Sequence, residues 1–190
     1  MEGGKGEEIF ARERKRLPAA RIRLYYFDIA PMKNPSAKGK NRIYSAVSTD
    51  GLNFTQEDGV RFENDDIFDP DVIKVGDTWR LYVGSPKGQQ VISAISTDGL
   101  NFTEEGVAYT GSSVPNVIYE NGTYYLYTAG IQIATSTDGI TYTKTKNSFR
   151  SSGSVTADPG VVKISDKKYL MIYKTSDQQA QGAPVAQPAR

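Results

Sequence analysis

The sequence predicts an all-β fold, a β-propeller built of four-stranded antiparallel blades, of which about three and a half are present. One observation behind this prediction is the tetrapeptide Ser-Thr-Asp-Gly, which occurs at residues 48–51, 96–99 and 136–139. An aromatic residue stands three positions after each of its glycines. A second observation is an X-Pro motif before a short apolar run, which begins at Asp69, Val114 and Asp158. Both motifs recur at intervals of about 45 residues, the length of one four-stranded blade.

The second copy of the repeat indicates how one blade is built. Runs rich in branched and aromatic residues are expected to form strands at 72–75, 78–83 and 91–95, and a fourth strand begins at 101. Gly76-Asp77 predicts a tight turn between the first two strands, and Asn121-Gly122 predicts the same turn in the next copy. Each Ser-Thr-Asp-Gly segment then joins the third strand to the fourth, on the side facing away from a ligand.

These repeats divide the chain into blades. We expect a charged, poorly ordered N-terminal arm at 1–20, blade A at about 9–65, blade B at 66–113, blade C at 114–156, a partial blade D at 157–175 and a disordered tail at 176–190. Blade A has a poor first strand at 9–17. Because a closed ring usually needs at least four complete blades, we expect an open arc whose exposed edge can pair with another chain.

Composition narrows the possible chemistry. The chain has no cysteine and no histidine, which excludes thiolate nucleophiles, zinc–cysteine sites, Ser-His-Asp triads and imidazole metal sites. Acid–base chemistry must therefore use carboxylates, tyrosine or lysine. The formal charge of +1 gives no bias toward nucleic acid, and no run of about 18 apolar residues is present to span a membrane. We expect no metal, no cofactor, no nucleic-acid partner and no membrane association.

Three segments carry a family resemblance. Residues 68–73, 76–82 and 133–139 resemble the five-bladed propellers of glycoside hydrolase family 43 and of its relatives in families 32, 62 and 68. The Ser-Thr-Asp-Gly turn also resembles the Asp-box of sialidases, which ranks second because that motif has one more residue before its aromatic. The first resemblance implies a carbohydrate ligand, hydrolysis of O-glycosidic bonds and an extracellular or periplasmic location. The charged N-terminal residues contain no segment typical of a signal peptide.

The same resemblance implies where a catalytic site would lie. In these enzymes three carboxylates stand at the starts of innermost strands: an Asp base, an Asp that orients and tunes, and a Glu acid. Asp69 and Asp158 match such positions and are the candidate catalytic residues. Asn116 lies in the equivalent part of blade C, where a carboxylic acid would be expected. The resemblance therefore implies impaired catalysis.

Four residues are candidates for substrate binding: Asp28, Lys33, Asp71 and Asn116. Asp71 could line the channel beside Asp69, since it points to the opposite side of its strand from the residue that follows. The loop at 28–41 is expected on the same face, where its lysines could contact an acidic sugar or a phosphate. The alternatives are structural: each Asp-Pro ends the connection from the preceding blade, and the loop is a solvated surface segment.

The leading functional prediction is carbohydrate recognition or processing at the channel face of the propeller. One alternative is a non-catalytic propeller module that binds glycans or proteins, and another is a truncated fragment without independent function. A protonatable acid opposite Asp69 separates the first two possibilities. Four aromatic side chains are expected to pack between blades rather than to stack on a sugar: Trp79, Tyr82, Tyr125 and Tyr127.

Overall fold

The computed structural model describes residues 21–27, 40–150 and 154–177. In sequence order its strands are β1 (Ile22–Phe27), β2 (Asn41–Ser48), β3 (Thr55–Gln56), β4 (Phe62–Asn64), β5 (Phe68–Val75), β6 (Thr78–Ser85), β7 (Gln90–Ser96), β8 (Thr103–Thr110), β9 (Asn116–Glu120), β10 (Thr123–Thr128), β11 (Gln132–Ser136), β12 (Thr143–Ser148), β13 (Ser154–Ser165) and β14 (Lys168–Asp177). A single 3₁₀ turn, Ala129–Ile131, separates β10 from β11. The described chain is thus built almost entirely of strands, which confirms the predicted all-β fold.

The strands form four antiparallel sheets. Blade B has the order β5-β6-β7-β8 and blade C the order β9-β10-β11-β12, so each is a complete four-stranded meander. In blade A, β2 pairs with β1 on one edge and with the two short strands β3 and β4 on the other, so its outermost strand is split. Blade D is the hairpin β13-β14. Four-stranded antiparallel blades in series confirm the predicted propeller architecture, incomplete within the described residues.

Glycine and asparagine set the tight turns inside the blades. Asn121 and Gly122 both have positive φ, 49° and 84°, as a two-residue type I′ hairpin requires. The Ser-Thr-Asp-Gly turns are held by their own side chains. In blade B the Ser96 hydroxyl accepts hydrogen bonds from the backbone N–H groups of Asp98 and Gly99. The Asp98 carboxylate accepts hydrogen bonds from the backbone N–H groups of Leu100 and Asn101. The other two copies repeat this network, as an identical sequence motif predicts.

The hydrophobic core lies between the blades rather than within one of them. One cluster fills the space between blades A and B, with Ile43, Leu81 and Val83 fully buried. A second fills the space between blades B and C, around Tyr82 and Leu126. Because each blade buries one face on its predecessor and the other on its successor, the order of the blades fixes which side chains meet.

Several expectations concern residues outside those that the structure describes. They are the arm at 1–20, the first strand of blade A at 9–17, most of the tail at 176–190, and the candidate binding residues Asp28 and Lys33. Within the described ranges, no helix is long and apolar enough to cross a membrane. The hairpin of blade D extends beyond the partial blade expected at 157–175, because strand pairing continues outward to Ser154 and Asp177.

Candidate functional site

The innermost strands β5, β9 and β13 lie side by side, and the same backbone kink occurs at each X-Pro motif. It lies at the second residue of β5, two residues before β9 and at the fifth residue of β13, so Asp158 lies inside its strand rather than at the expected strand start. Asp69, Val114 and Asp158 have φ values of 50°, 63° and 51°, in the left-handed region that residues other than glycine rarely adopt. The two aspartates lie within register shifts of the β5–β6 and β13–β14 ladders. Such bulges bend a strand and redirect a side chain, often beside a functional site.

Asp69 and Asp158 are close enough to interact electrostatically. Asp69 is half-buried, and burial raises the pKa of its carboxyl, with a further increase from the negative charge of Asp158. Asp158 is more exposed, and its carboxylate Oδ2 lies 3.1 Å from Nζ of Lys174. The structure therefore brings together the two aspartates that the sequence singled out, although they belong to blades B and D. The ammonium group of Lys174 lies beside them.

Lys174 is a member of this cluster that sequence reasoning missed. Its place follows from the register of the β13–β14 hairpin, in which Ala157 is paired with Lys174 directly beside Asp158. Two irregularities, between Lys163 and Ser165 and between Ala157 and Gly160, each shift the register by one residue, so counting outward from the turn would misplace the lysine.

Asp71 and Asn116 link the innermost strands of three blades. The Asp71 carboxylate accepts a hydrogen bond from the Val117 N–H at 2.7 Å and one from the Asn116 amide at 3.1 Å. The side-chain oxygen Oδ1 of Asn116 in turn accepts a hydrogen bond from the Val161 N–H at 2.8 Å. Each of the two side chains thus accepts a hydrogen bond from a backbone N–H on the innermost strand of the next blade. Their role in substrate binding stays a prediction, since these contacts are structural.

Burial dominates the electrostatics of Asp71. Removal of its carboxylate from water raises the pKa of Asp71 to about 6, although the hydrogen bonds from Val117 and Asn116 favour the ionised form. The series ends at Gly160, the equivalent residue of blade D, which has no side chain to continue it. Asp71 is therefore a half-buried carboxyl group that titrates in the range where biochemical assays are performed.

Two further glutamates stand away from the strand starts. Glu63 lies on the outer strand β4, where Arg42 Nε and Lys40 Nζ approach it at 3.1 and 3.5 Å and lower the pKa of its carboxyl. Glu120 ends β9, at the opposite end of that strand from Asn116, and pairs with Lys163 at 2.9 Å. Neither is placed to serve Asp69 or Asp158 as a third carboxyl group. In the described part of the chain, no group of three acidic side chains is arranged to hold a metal ion.

Several solved structures are similar in fold to this chain. A scan against protein-family models finds no match, and no curated protein matches the sequence. A presumed glycosidase from Bacteroides thetaiotaomicron superposes with a TM-score of 0.61 at 19% identity, covering 75% of this chain and 56% of the other. The family 32 β-fructofuranosidase of Bombyx mori, solved as a variant with sucrose, gives 0.58 at 17% identity, over 80% of this chain and 40% of the enzyme.

A thermostable family 43 glycoside hydrolase is also similar, with a TM-score of 0.52 at 20% identity over 56% of this chain and 41% of that protein. The chain therefore spans about half or less of the length of these structures. Identities this low establish the fold and leave activity open. The chain has the β-propeller fold shared by glycoside hydrolase families 32 and 43.

Proposed function

We propose that the chain is a carbohydrate-active propeller that binds glycosides beside the kinks of its innermost strands and cleaves their O-glycosidic bonds slowly. The observation that carries the proposal is the proximity of Asp69 and Asp158 at two backbone kinks, near enough for the charge of Asp158 to raise the pKa of Asp69. Glycoside hydrolysis uses two carboxyl groups, of which one is protonated and the other ionised. Support also comes from the propeller fold of known glycosidases.

The two environments suggest a division of labour. Asp69 is the more buried of the pair, and its raised pKa favours the protonated form that donates to a leaving group. Asp158 is the more exposed of the two and lies 3.1 Å from the ammonium group of Lys174, which suits the role of base or nucleophile. A weak activity is expected because Asn116 begins the third innermost strand, so an amide stands where a third carboxyl group would assist the pair.

Hydrolysis of aryl glycosides tests the proposal. Aryl arabinosides, xylosides and galactosides carry activated leaving groups that need little protonation, so we expect slow turnover of at least one of them and less of the natural oligosaccharides. Asp158→Asn removes the base or nucleophile and should abolish that turnover. Asp69→Asn removes the proton donor, so it should abolish turnover of the oligosaccharides and reduce that of the aryl glycosides less. Asp77→Asn is the matched control, because Asp77 lies in the exposed β5–β6 turn of the same blade. Equal activity in Asp69→Asn and the wild type would refute the assignment.

A non-catalytic glycan-binding module is the second candidate function, and the amide at Asn116 favours it. Calorimetric titration of the same oligosaccharides into the wild type and into Asp69→Asn distinguishes the two. Binding that both proteins share, without turnover of any aryl glycoside, would support the binding module. Absence of binding by either protein would contradict both functions.

A further inference from the structure

The contacts between consecutive blades repeat one arrangement. The Tyr25 hydroxyl of blade A donates a hydrogen bond to the Gly99 carbonyl in the Ser-Thr-Asp-Gly turn of blade B, at 2.8 Å. The Tyr82 hydroxyl of blade B donates to the Gly139 carbonyl of blade C at 2.7 Å. The aromatic residue that follows each turn packs edge-on against the same tyrosine, with Phe102 on Tyr25 at a centroid distance of 6.0 Å. Each turn thus caps a tyrosine of the preceding blade.

Tyr127 of blade C occupies the same position and has no such cap among the described residues. Its strand pairs it with Asn116, just as Tyr82 is paired with the equivalent Asp71. The Tyr127 hydroxyl makes no hydrogen bond within the described part of the chain. A pocket of about 230 Å³ lies there instead, lined by Ile118, Glu120, Tyr125, Tyr127 and Tyr169. A cavity of about 150 Å³ holds a benzene molecule, so this pocket has room for an aromatic ring.

The chain also contains a cap that lacks a tyrosine. Residues 48–54 have the sequence Ser-Thr-Asp-Gly-Leu-Asn-Phe, identical to residues 96–102, the segment that caps Tyr25. In blade A no tyrosine of the described residues bonds to Gly51, and the side chains at the tip are open to solvent, with Leu52 84% and Phe54 39% exposed. The described chain therefore has one unmatched cap at one end of the arc and one unmatched tyrosine pocket toward the other.

We propose that residues 48–54 of one copy of this chain bind in the Tyr127 pocket of a second copy. In this contact the Gly51 carbonyl accepts a hydrogen bond from the Tyr127 hydroxyl, and the Phe54 ring packs against the tyrosine. The identical heptapeptide makes the same contacts with Tyr25. The heptapeptide is already ordered by its own hydrogen bonds, for Ser48 and Asp50 hold the turn as in the other copies. Little conformational entropy is then lost on binding.

The two surfaces are different patches of the molecule, so the contact is head-to-tail. Each copy offers one cap and one pocket, and association continues to longer assemblies unless the rotation closes a ring. This distinguishes the proposal from pairing of two identical strand edges, which would stop at a symmetric dimer. It is also independent of the glycoside chemistry, since neither Phe54 nor Tyr127 belongs to the Asp69–Asp158 site.

Sedimentation velocity over a range of concentrations tests the contact in the full chain. We expect concentration-dependent association that Tyr127→Phe weakens by up to about tenfold and Phe54→Ala by at least about tenfold. Tyr119→Phe is the matched control, because Tyr119 is an exposed tyrosine of blade C outside the pocket. Leu52→Arg provides a second disruption at a side chain too exposed to affect folding. A monomer at every concentration, or association that none of these variants changes, would overturn the proposal.

Mixing the variants gives the sharper result. Phe54→Ala retains an intact pocket and Tyr127→Phe an intact heptapeptide, so an equimolar mixture contains one unaltered junction. We expect that mixture to associate with the wild-type dissociation constant and to stop at the dimer. The synthetic peptide Ser-Thr-Asp-Gly-Leu-Asn-Phe should bind the Phe54→Ala chain and shift the NMR signals of Tyr127, whereas a peptide ending in alanine should not. A mixture that associates no better than either variant alone would contradict the head-to-tail contact.

Discussion

The carboxylate of Asp71 accepts the backbone N–H of Val117 at 2.7 Å and so joins the innermost strand of blade B to that of blade C. Asn116 makes the equivalent bond to the N–H of Val161 in blade D. These bonds lie on the edges of the innermost strands, opposite the edges that pair with β10 and β14. Through β9 they connect β5, which carries Asp69, to β13, which carries Asp158.

Removal of the Asp71 carboxylate should destabilise the chain. In Asp71→Ala the Val117 N–H and the Asn116 amide lose their acceptor in a half-buried position, which costs about 1–3 kcal/mol. Urea unfolding followed by circular dichroism measures the loss. Asp77→Ala serves as the control, since Asp77 lies in an exposed turn. A free energy of unfolding equal to that of the control would show that the link between blades contributes nothing.

The raised pKa of Asp71 predicts a pH dependence of stability. An aspartate in the unfolded chain titrates near 3.9, whereas the folded pKa is about 6. The folded state therefore binds more protons between these values, and the contribution of this group is fully present below pH 4 and lost as the pH rises through 6. The wild type should lose stability relative to Asp71→Asn between pH 4 and 7. An unchanged difference between the two proteins over that range would contradict the shift.

The aspartates of the three Ser-Thr-Asp-Gly turns should affect the stability of the chain in a separate range of pH. Hydrogen bonds lower the pKa values of these three carboxyl groups below that of an ordinary aspartate. The largest contribution comes from the Asn53 N–H for Asp50, from the Asn101 N–H for Asp98 and from the Ser136 hydroxyl for Asp138. Their contribution is present above pH 4 and is lost as the pH falls below it. The measurement on Asp71 can thus be made at pH 4 to 7 without interference from these groups.

The glycines of the Ser-Thr-Asp-Gly turns should differ from those of the hairpin turns. Gly139 has a φ of 74°, and a Cβ there would lie 2.7 Å from Arg80 Nη1 and 3.0 Å from Tyr124 Cζ. Gly122 has a φ of 84° and open space around it. Gly122→Ala should cost about 1 kcal/mol for backbone strain alone, and Gly139→Ala a further 1–3 kcal/mol, roughly, for overpacking. Thermal unfolding of the two variants measures both losses of stability. Equal losses would rule out the clash between blades at Gly139.

Two ion pairs of similar geometry should differ in their value for stability. The side chains of Arg80 and Glu105 are only 10% and 13% exposed at an N–O distance of 3.1 Å, and Arg80 also donates to the Asp138 carbonyl in blade C. Arg80→Ala leaves Glu105 without its partner and should cost about 3–5 kcal/mol. Arg42→Ala breaks an exposed pair with Glu63 and should cost about 0–1 kcal/mol. Urea unfolding that shows similar losses for both would contradict the role of burial.

Much of the fold could be predicted because the repeats are local. The Asn121-Gly122 turn, the Ser-Thr-Asp-Gly network and the strands of blades B and C depend on residues within a few positions of one another. The Asp-Pro motif also singled out Asp69 and Asp158, although the sequence did not predict the left-handed kinks at which they lie. Lys174 escaped prediction because its place depends on a bulge, and the contacts of Asp71 because they cross to another blade.

The sequence by itself determined the period of the repeats and their antiparallel blades, since the turn motifs and strand patterns of each blade are local and recur along the chain. Tertiary structure decided which turn meets which tyrosine. Residues 48–54 and 96–102 are identical in sequence, yet one heptapeptide caps Tyr25 and the other is exposed. The difference arises because a turn packs on the blade before its own, and burial depends on what that neighbouring blade presents rather than on local sequence.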